Sequence, residues 1–169
     1  RGGAQSGNGG FVEISGKAWL DFRGVVDTRA PRGVTGTLLL DPTTINIIAT
    51  DGATPNTAFS AGTFQDTGAN AISEIPVATL KSALTTSDVT ITTASTAVGT
   101  GDINFNTAFD FNGIAATRTL TLIANRNINI SNSISDSAPG GENLNLVLNA
   151  AGASNISANV ALGSGTFTA

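Results

Sequence analysis

Apolar and polar residues alternate along this chain in short runs, and Gly or Pro interrupts nearly every run. Between positions 9 and 47 the runs FVEIS, AWLDF, VVDT and GTLLLD are separated by Gly16, Gly24, Pro31, Gly33 and Gly36. None is long enough for a helix, so the pattern predicts short strands with a corner after each. Residues 38–40 form a continuous apolar run, as in a strand buried on both faces. Asp41-Pro42 ends that run, because proline cannot donate to a ladder and restricts the residue before it. TINIIA (44–49) begins another strand. Residues 50–73 are the least periodic and predict an excursion outside the main body. A single helix is predicted over 75–84, with Pro76 in its first turn and Val77, Leu80 and Leu84 at helical spacing.

After that helix the alternation becomes regular. DVTITTAS, DINFNTAFDF, RTLTLIANRNINISNSIS, ENLNLVLNAAG and SNISANVALGSGTFTA all carry period-2 apolar positions. LTLIA at Leu120 matches LNLVL at Leu144, 24 positions on, and Ile130 matches Ile156, 26 on. A helix-free repeat of this length points to a solenoid whose turns each contribute a few short strands. Coils in such a fold stack at about 4.8 Å, so some 24 residues per turn predicts about seven coils and about 35 Å of axis. Aliphatic side chains would fill the interior, and Asn and Thr would ladder outside through amide and hydroxyl hydrogen bonds. The expected fold class is therefore all-β, a parallel β-helix with one short helix. Its expected organisation is one segment, 1–169: strands over 9–49, an excursion with the helix over 50–88, and regular coils over 89–169.

Composition narrows the function. Only 12 % of the 169 residues are charged, about half the usual share, so like can stack on like without charge repulsion. A net charge of −4 argues against nucleic-acid binding, which needs a basic face. Lys17, Arg23, Arg29 and Arg32 are interleaved with Glu13, Asp21 and Asp27, as on a solvated mixed face. Cys, His, Met and Tyr are absent. Disulfides and thiolate metal sites are thereby excluded, and so are the commonest general base and the commonest metal ligand. No apolar run approaches the roughly 18 residues of a membrane-spanning helix, and the first ten residues do not read as a signal peptide. A secreted protein of this kind would carry its signal upstream of Arg1.

The motifs GGFVEISG, VDTRAP and GTLLLDPTTINI, then VATLKSAL and VTITT, occur in that order between Gly9 and Thr93. The order resembles large exoproteins of the filamentous-haemagglutinin, two-partner-secretion type, with Ile14 where Thr is more usual. Past Thr93 the chain is similar to that family only as generic β-helix coils. The resemblance implies a right-handed parallel β-helix secreted to a Gram-negative cell surface, exported through an outer-membrane pore by a dedicated partner. It also implies adhesion, aggregation or matrix building, self-association end to end or along the shaft, and a glycan or protein receptor. Some such proteins carry a toxin at the far end. The family's amino-terminal secretion domain is not recognisable, so this piece reads as shaft.

The chain offers few residues for chemistry. Asp102 with Asp110, or Asp21 with Asp27, would be the carboxylate pairs of a glycan-active β-helix enzyme. Yet acidic residues fall mostly at turns (Asp41, Asp51, Asp88, Asp102, Asp136), where Asp bonds nearby backbone. A nucleophilic triad lacks its base, and no phosphate loop or GGxGxD calcium repeat occurs. An isolated calcium ion at a turn stays open. Trp19 reads as packing before it reads as a glycan platform, and Asp41-Pro42 as a turn before a cleavage point. Asn129-Ile130-Ser131 and Asn155-Ile156-Ser157 fit the glycosylation pattern, but Asn ladders explain them better. The sequence therefore predicts no catalytic, cofactor or metal residues. It predicts a non-catalytic structural or adhesive segment; the alternatives are a glycan-active enzyme and a carrier stalk for a toxin or binding domain.

Overall fold

A computed structural model describes residues 1–16, 20, 22–41, 44–49, 57–60, 63–66, 73–93, 101–114, 116–138, 140 and 142–169. Their strands are β1 (Phe11–Ser15), β2 (Thr37–Asp41), β3 (Ile45–Ile48), β4 (Thr57–Ser60), β5 (Thr63–Asp66) and β6 (Ser73–Pro76). Helix α1 (Val77–Thr86) follows, then β7 (Asp88–Thr92), β8 (Ile103–Phe105), β9 (Phe109–Asp110), β10 (Arg118–Ala124) and β11 (Ile128–Ile130). The last strands are β12 (Ile134–Ser135), β13 (Leu144–Ala150), β14 (Ser154–Ile156) and β15 (Phe167–Thr168).

Most strands fall in three parallel sheets. The first runs β1-β2-β7-β10-β13-β15, the second β14-β11-β8-β3-β6, and the third pairs β12 with β9. Consecutive strands visit the sheets in turn: β7, β8 and β9, then β10, β11 and β12, then β13, β14 and a single bridge at Val160. Among the described strands only β4 and β5 pair antiparallel, inside the predicted excursion. At the end of the aperiodic stretch, Ser73–Pro76 joins the second sheet beside β3.

Alternation decides which side chains go inside. β13 reads buried, half-buried, buried along Leu144, Asn145 and Leu146, and β7 does the same around Val89 and Ile91. The inward residues of all three sheets form one apolar cluster, with Phe105, Phe109, Ile134 and the Leu and Ile of the long strands at its centre. At ~25 cal/mol per Å² of apolar surface removed from water, this cluster is the main favourable contribution to folding. Leu20 and Phe22, from the run predicted as AWLDF, are buried in it too. Residues 17–19 and 21 of that run lie outside the described residues.

Four expectations change. The helix begins after Pro76, which serves as its extended N-cap, so 75–76 are strand and the helix continues to Thr86. Leu80 and Leu84 face the core as their spacing predicted. The run 38–40 is buried on one face only: Leu38 and Leu40 point in, while Leu39 lies half-buried outside, in register between Glu13 and Thr90. VVDT forms no strand. Its backbone instead meets the end of α1, where Thr28 N donates to Thr86 O at 3.2 Å and Thr86 Oγ1 donates to Val26 O at 2.6 Å. Finally, Leu120 pairs with Leu146 and Arg118 with Leu144, so the offset between these two strands is 26 residues, not 24. A two-residue slip keeps every side chain on its own face, so the apolar pattern could not tell the two registers apart. Among the described residues the largest sheet has six strands, where about seven coils were expected.

Candidate functional site

Side chains in register on neighbouring strands stack directly, and the outer face of the second sheet shows the consequence. Asn46, Asn104, Asn129 and Asn155 occupy equivalent positions on β3, β8, β11 and β14. Asn104 Nδ2 donates to Asn46 Oδ1 at 3.0 Å, Asn129 Nδ2 to Asn104 Oδ1 at 2.7 Å, and Asn155 Nδ2 to Asn129 Oδ1 at 2.8 Å. The amides form one hydrogen-bonded row with a single polarity. Both glycosylation-pattern asparagines, Asn129 and Asn155, are rungs of it. Glu74 on β6 stands in register with Asn46 at the other end of the row.

The candidate catalytic carboxylates are engaged in structural contacts. Asp102, at the entrance to β8, accepts Arg126 Nε at 2.7 Å and a second, closer bond from Arg126 NH2. It also accepts Asn127 N at 3.1 Å. The clamp joins one turn of the chain to the next and raises the Arg126 pKa above its ordinary value through the hydrogen bond to Asp102. Asp110 lies on β9, in a different sheet, and accepts Asn112 N at 3.0 Å, Ser137 N at 3.1 Å and Ser137 Oγ at 2.8 Å. Those bonds, the one from Asn112 first, hold its carboxyl below the usual range. Each carboxylate spends its acceptors on stapling the chain.

Asp27 accepts Arg29 Nε at 3.0 Å and NH2 at 2.8 Å, with Arg1 Nε 3.2 Å away, and its pKa is lowered chiefly by Arg29. Its proposed partner Asp21 lies outside the described residues, as do Trp19, Lys17, Pro42 and Asp51. Asp136 makes the predicted turn bond, accepting Ala138 N at 3.0 Å, whereas Asp88 bonds the next strand through Thr119 N at 2.9 Å. Asp41 differs from the rest. Its Oδ1 is buried without a hydrogen-bond partner, and desolvation, then the charge of Glu13, pushes its pKa up.

Two contacts had no clear sequence signal. Arg118 opens β10 and donates from Nε to Leu84 O at 2.9 Å and from NH2 to Thr85 O at 3.3 Å. A cation on the last carbonyls of a helix is favourable against its dipole, but nothing local in the chain places Arg118 there. The Asp102–Arg126 clamp spans 24 positions and becomes visible only once the register is known.

Among the described residues no group of three or more His, Cys, Asp or Glu could hold a metal ion, and no helix is long and apolar enough to cross a membrane. The outer face of the first sheet carries Glu13, Leu39, Thr90, Thr121, Val147 and Thr168 in one aligned row, neutral beyond Glu13. Comparison with known proteins returned no matching family model, no matching curated protein and no matching solved structure.

Proposed function

We propose that this chain is a length of parallel β-helix that works as material: a rigid, non-catalytic structural or adhesive segment. The observation that carries the reading is the amide row on β3, β8, β11 and β14, whose like-on-like stacking repeats in the apolar columns beneath it. The strands visit three parallel sheets in turn around one apolar cluster, which supports a coil about a single axis. Parallel crossovers are almost always right-handed, and that is the hand proposed here. The carboxylates a hydrolase would need are bound to backbone and to Arg126. The resemblance of 9–93 to two-partner-secretion exoproteins supports an extracellular, Gram-negative cell-surface setting, with an outer-membrane pore as export partner and a surface glycan or protein as receptor.

The test displays the chain on a non-adherent bacterium and measures cell–cell aggregation and attachment, while purified protein is incubated with a polysaccharide panel and assayed for new reducing ends. Attachment without turnover is expected. Reducing-end release that disappears in Asp102→Asn or Asp110→Asn, with folding retained, would establish the enzyme reading in its place.

A further inference from the structure

The chain holds two Asn-Gly pairs, Asn8-Gly9 and Asn112-Gly113. This dipeptide is reactive because glycine, lacking a Cβ, lets its backbone nitrogen approach the side-chain carbonyl carbon of the preceding asparagine. Along the sequence the two pairs are equivalent. The fold treats them differently.

Asn8-Gly9 is held at both groups the reaction uses. Asn8 Oδ1 accepts Val34 N at 3.0 Å, and Gly9 N, the nucleophile, donates to Val34 O at 2.8 Å. The backbone around Gly9 is closely packed as well: a Cβ there would collide with Thr28 O and Gly36 N. Turning Gly9 N toward Asn8 Cγ would break both bonds to Val34, in a place with no room for a new ring.

Asn112-Gly113 stands at the tip of a turn between β9 and β10. Phe111 and Ile114, both 0 % exposed, anchor its ends, and Ile114 N donates to Phe111 O at 3.2 Å across it. Gly113 is exposed with a φ of 84°, the positive value that the third residue of a type II turn requires. A Cβ on Gly113 would meet nothing within 4 Å. Asp110 Oδ1 accepts Asn112 N at 3.0 Å, but among the described residues no hydrogen bond engages Gly113 N–H or the Asn112 side-chain amide. Neither reacting group has a partner to give up. Rotation about the Asn112 Cα–C bond brings Gly113 N to Cγ and leaves the Asp110 bond in place. It costs only the turn bond, whose partners regain water.

We propose that Asn112 is a site of spontaneous modification, converting through a cyclic imide to aspartate and isoaspartate, while Asn8 in the same folded chain is spared. The Gly113 nitrogen, its proton taken by hydroxide, attacks Asn112 Cγ. The Cγ–Nδ2 bond breaks, and Nδ2 takes a proton from water and leaves as ammonia. Water then opens the ring. Opening at Cγ gives aspartate; opening at the backbone carbonyl gives isoaspartate, with the main chain routed through Cβ. One water is consumed and one ammonia released, and no cofactor takes part. The product carries a new carboxylate beside Asp110, and its iso form is a substrate for enzymes that methylate isoaspartyl carboxylates.

The test keeps the folded chain in warm, mildly alkaline buffer, with a parallel sample in urea, and digests both with trypsin. A sample digested at the start sets the background. Peptide 2–17 carries Asn8 and peptide 82–118 carries Asn112, where fragment ions distinguish it from Asn104 and Asn106. In the folded sample Asn112 is expected to gain one mass unit, and its peptide to accept methyl groups from an isoaspartyl methyltransferase, with neither change at Asn8. In urea the two sites should convert at similar rates, which makes the difference a property of the fold. Asn112→Gln should keep the circular dichroism spectrum and lose the change at 112, because the larger ring closes far more slowly. Asn8 converting as fast as Asn112 in the folded chain would overturn the proposal. So would an Asn112 that converts in urea and not in the folded chain, or conversion at neither site in either sample.

Discussion

Asn129 sits inside the amide row and Asn155 at its end, and this difference sets a measurable asymmetry. Asn129 makes two row bonds, one donated at 2.7 Å and one accepted at 2.8 Å, whereas Asn155 makes only the bond to Asn129. A hydrogen bond contributes about 1 kcal/mol net, because its partners regain water when it is lost. Asn129→Ala is therefore expected to cost about 2 kcal/mol and Asn155→Ala about 1 kcal/mol. Both replace Asn by Ala on a strand, so the propensity change is common to the two and drops out of their difference. That difference of about 1 kcal/mol corresponds to about 2–4 °C in Tm for a domain of this size. Urea titrations followed by circular dichroism, with unchanged m values, give the comparison directly. The measurement belongs at a concentration where both variants and the parent share one assembly state. Equal losses for the two variants, or a larger loss for Asn155→Ala in a monomer, would refute the idea that the row bears weight.

Other consequences follow from packing and charge. Phe105 is fully buried, in register between Ile47 and Ile130, so Phe105→Ala should lose about 3–5 kcal/mol, while Phe11→Ala, at an exposed site, should stay within about 0.5 kcal/mol; urea midpoints check both. A Cβ at Gly36 would lie 2.0 Å from Gly10 O, whereas one at Gly10 meets nothing within 4 Å; Gly36→Ala should lower Tm clearly and Gly10→Ala should not. Asp110 has a lowered folded pKa, so its contribution is complete above the unfolded value of about 3.9 and is lost as pH falls through the folded pKa; Asp110→Asn should flatten the acid limb of the stability profile. Asp41 has the opposite sign. Its raised folded pKa means the ionised form weakens the fold at neutral pH, so Asp41→Asn should leave stability at pH 7 unchanged or higher, and the penalty should fade on acidification in the parent chain.

Local residue choice was enough to read the strand periods, the corners and the single helix, because side chains alternate with a period of two in any strand that faces a core. It was enough, too, to anticipate that Asn would stack on Asn, since DINF, NINI and SNIS put an amide beside an apolar residue in the same phase. Register was another matter. The 24- and 26-residue matches bury the same faces, and the choice falls to contacts made only when neighbouring turns meet. Such contacts include Ala153 N donating to Asn127 Oδ1 at 3.0 Å, from 26 positions away. Tertiary structure also assigned the work of the acidic residues. Asp102 and Asp110 look alike in the sequence, free for chemistry or for turns, and their roles as staples depend on an arginine and a serine 24 and 27 positions away.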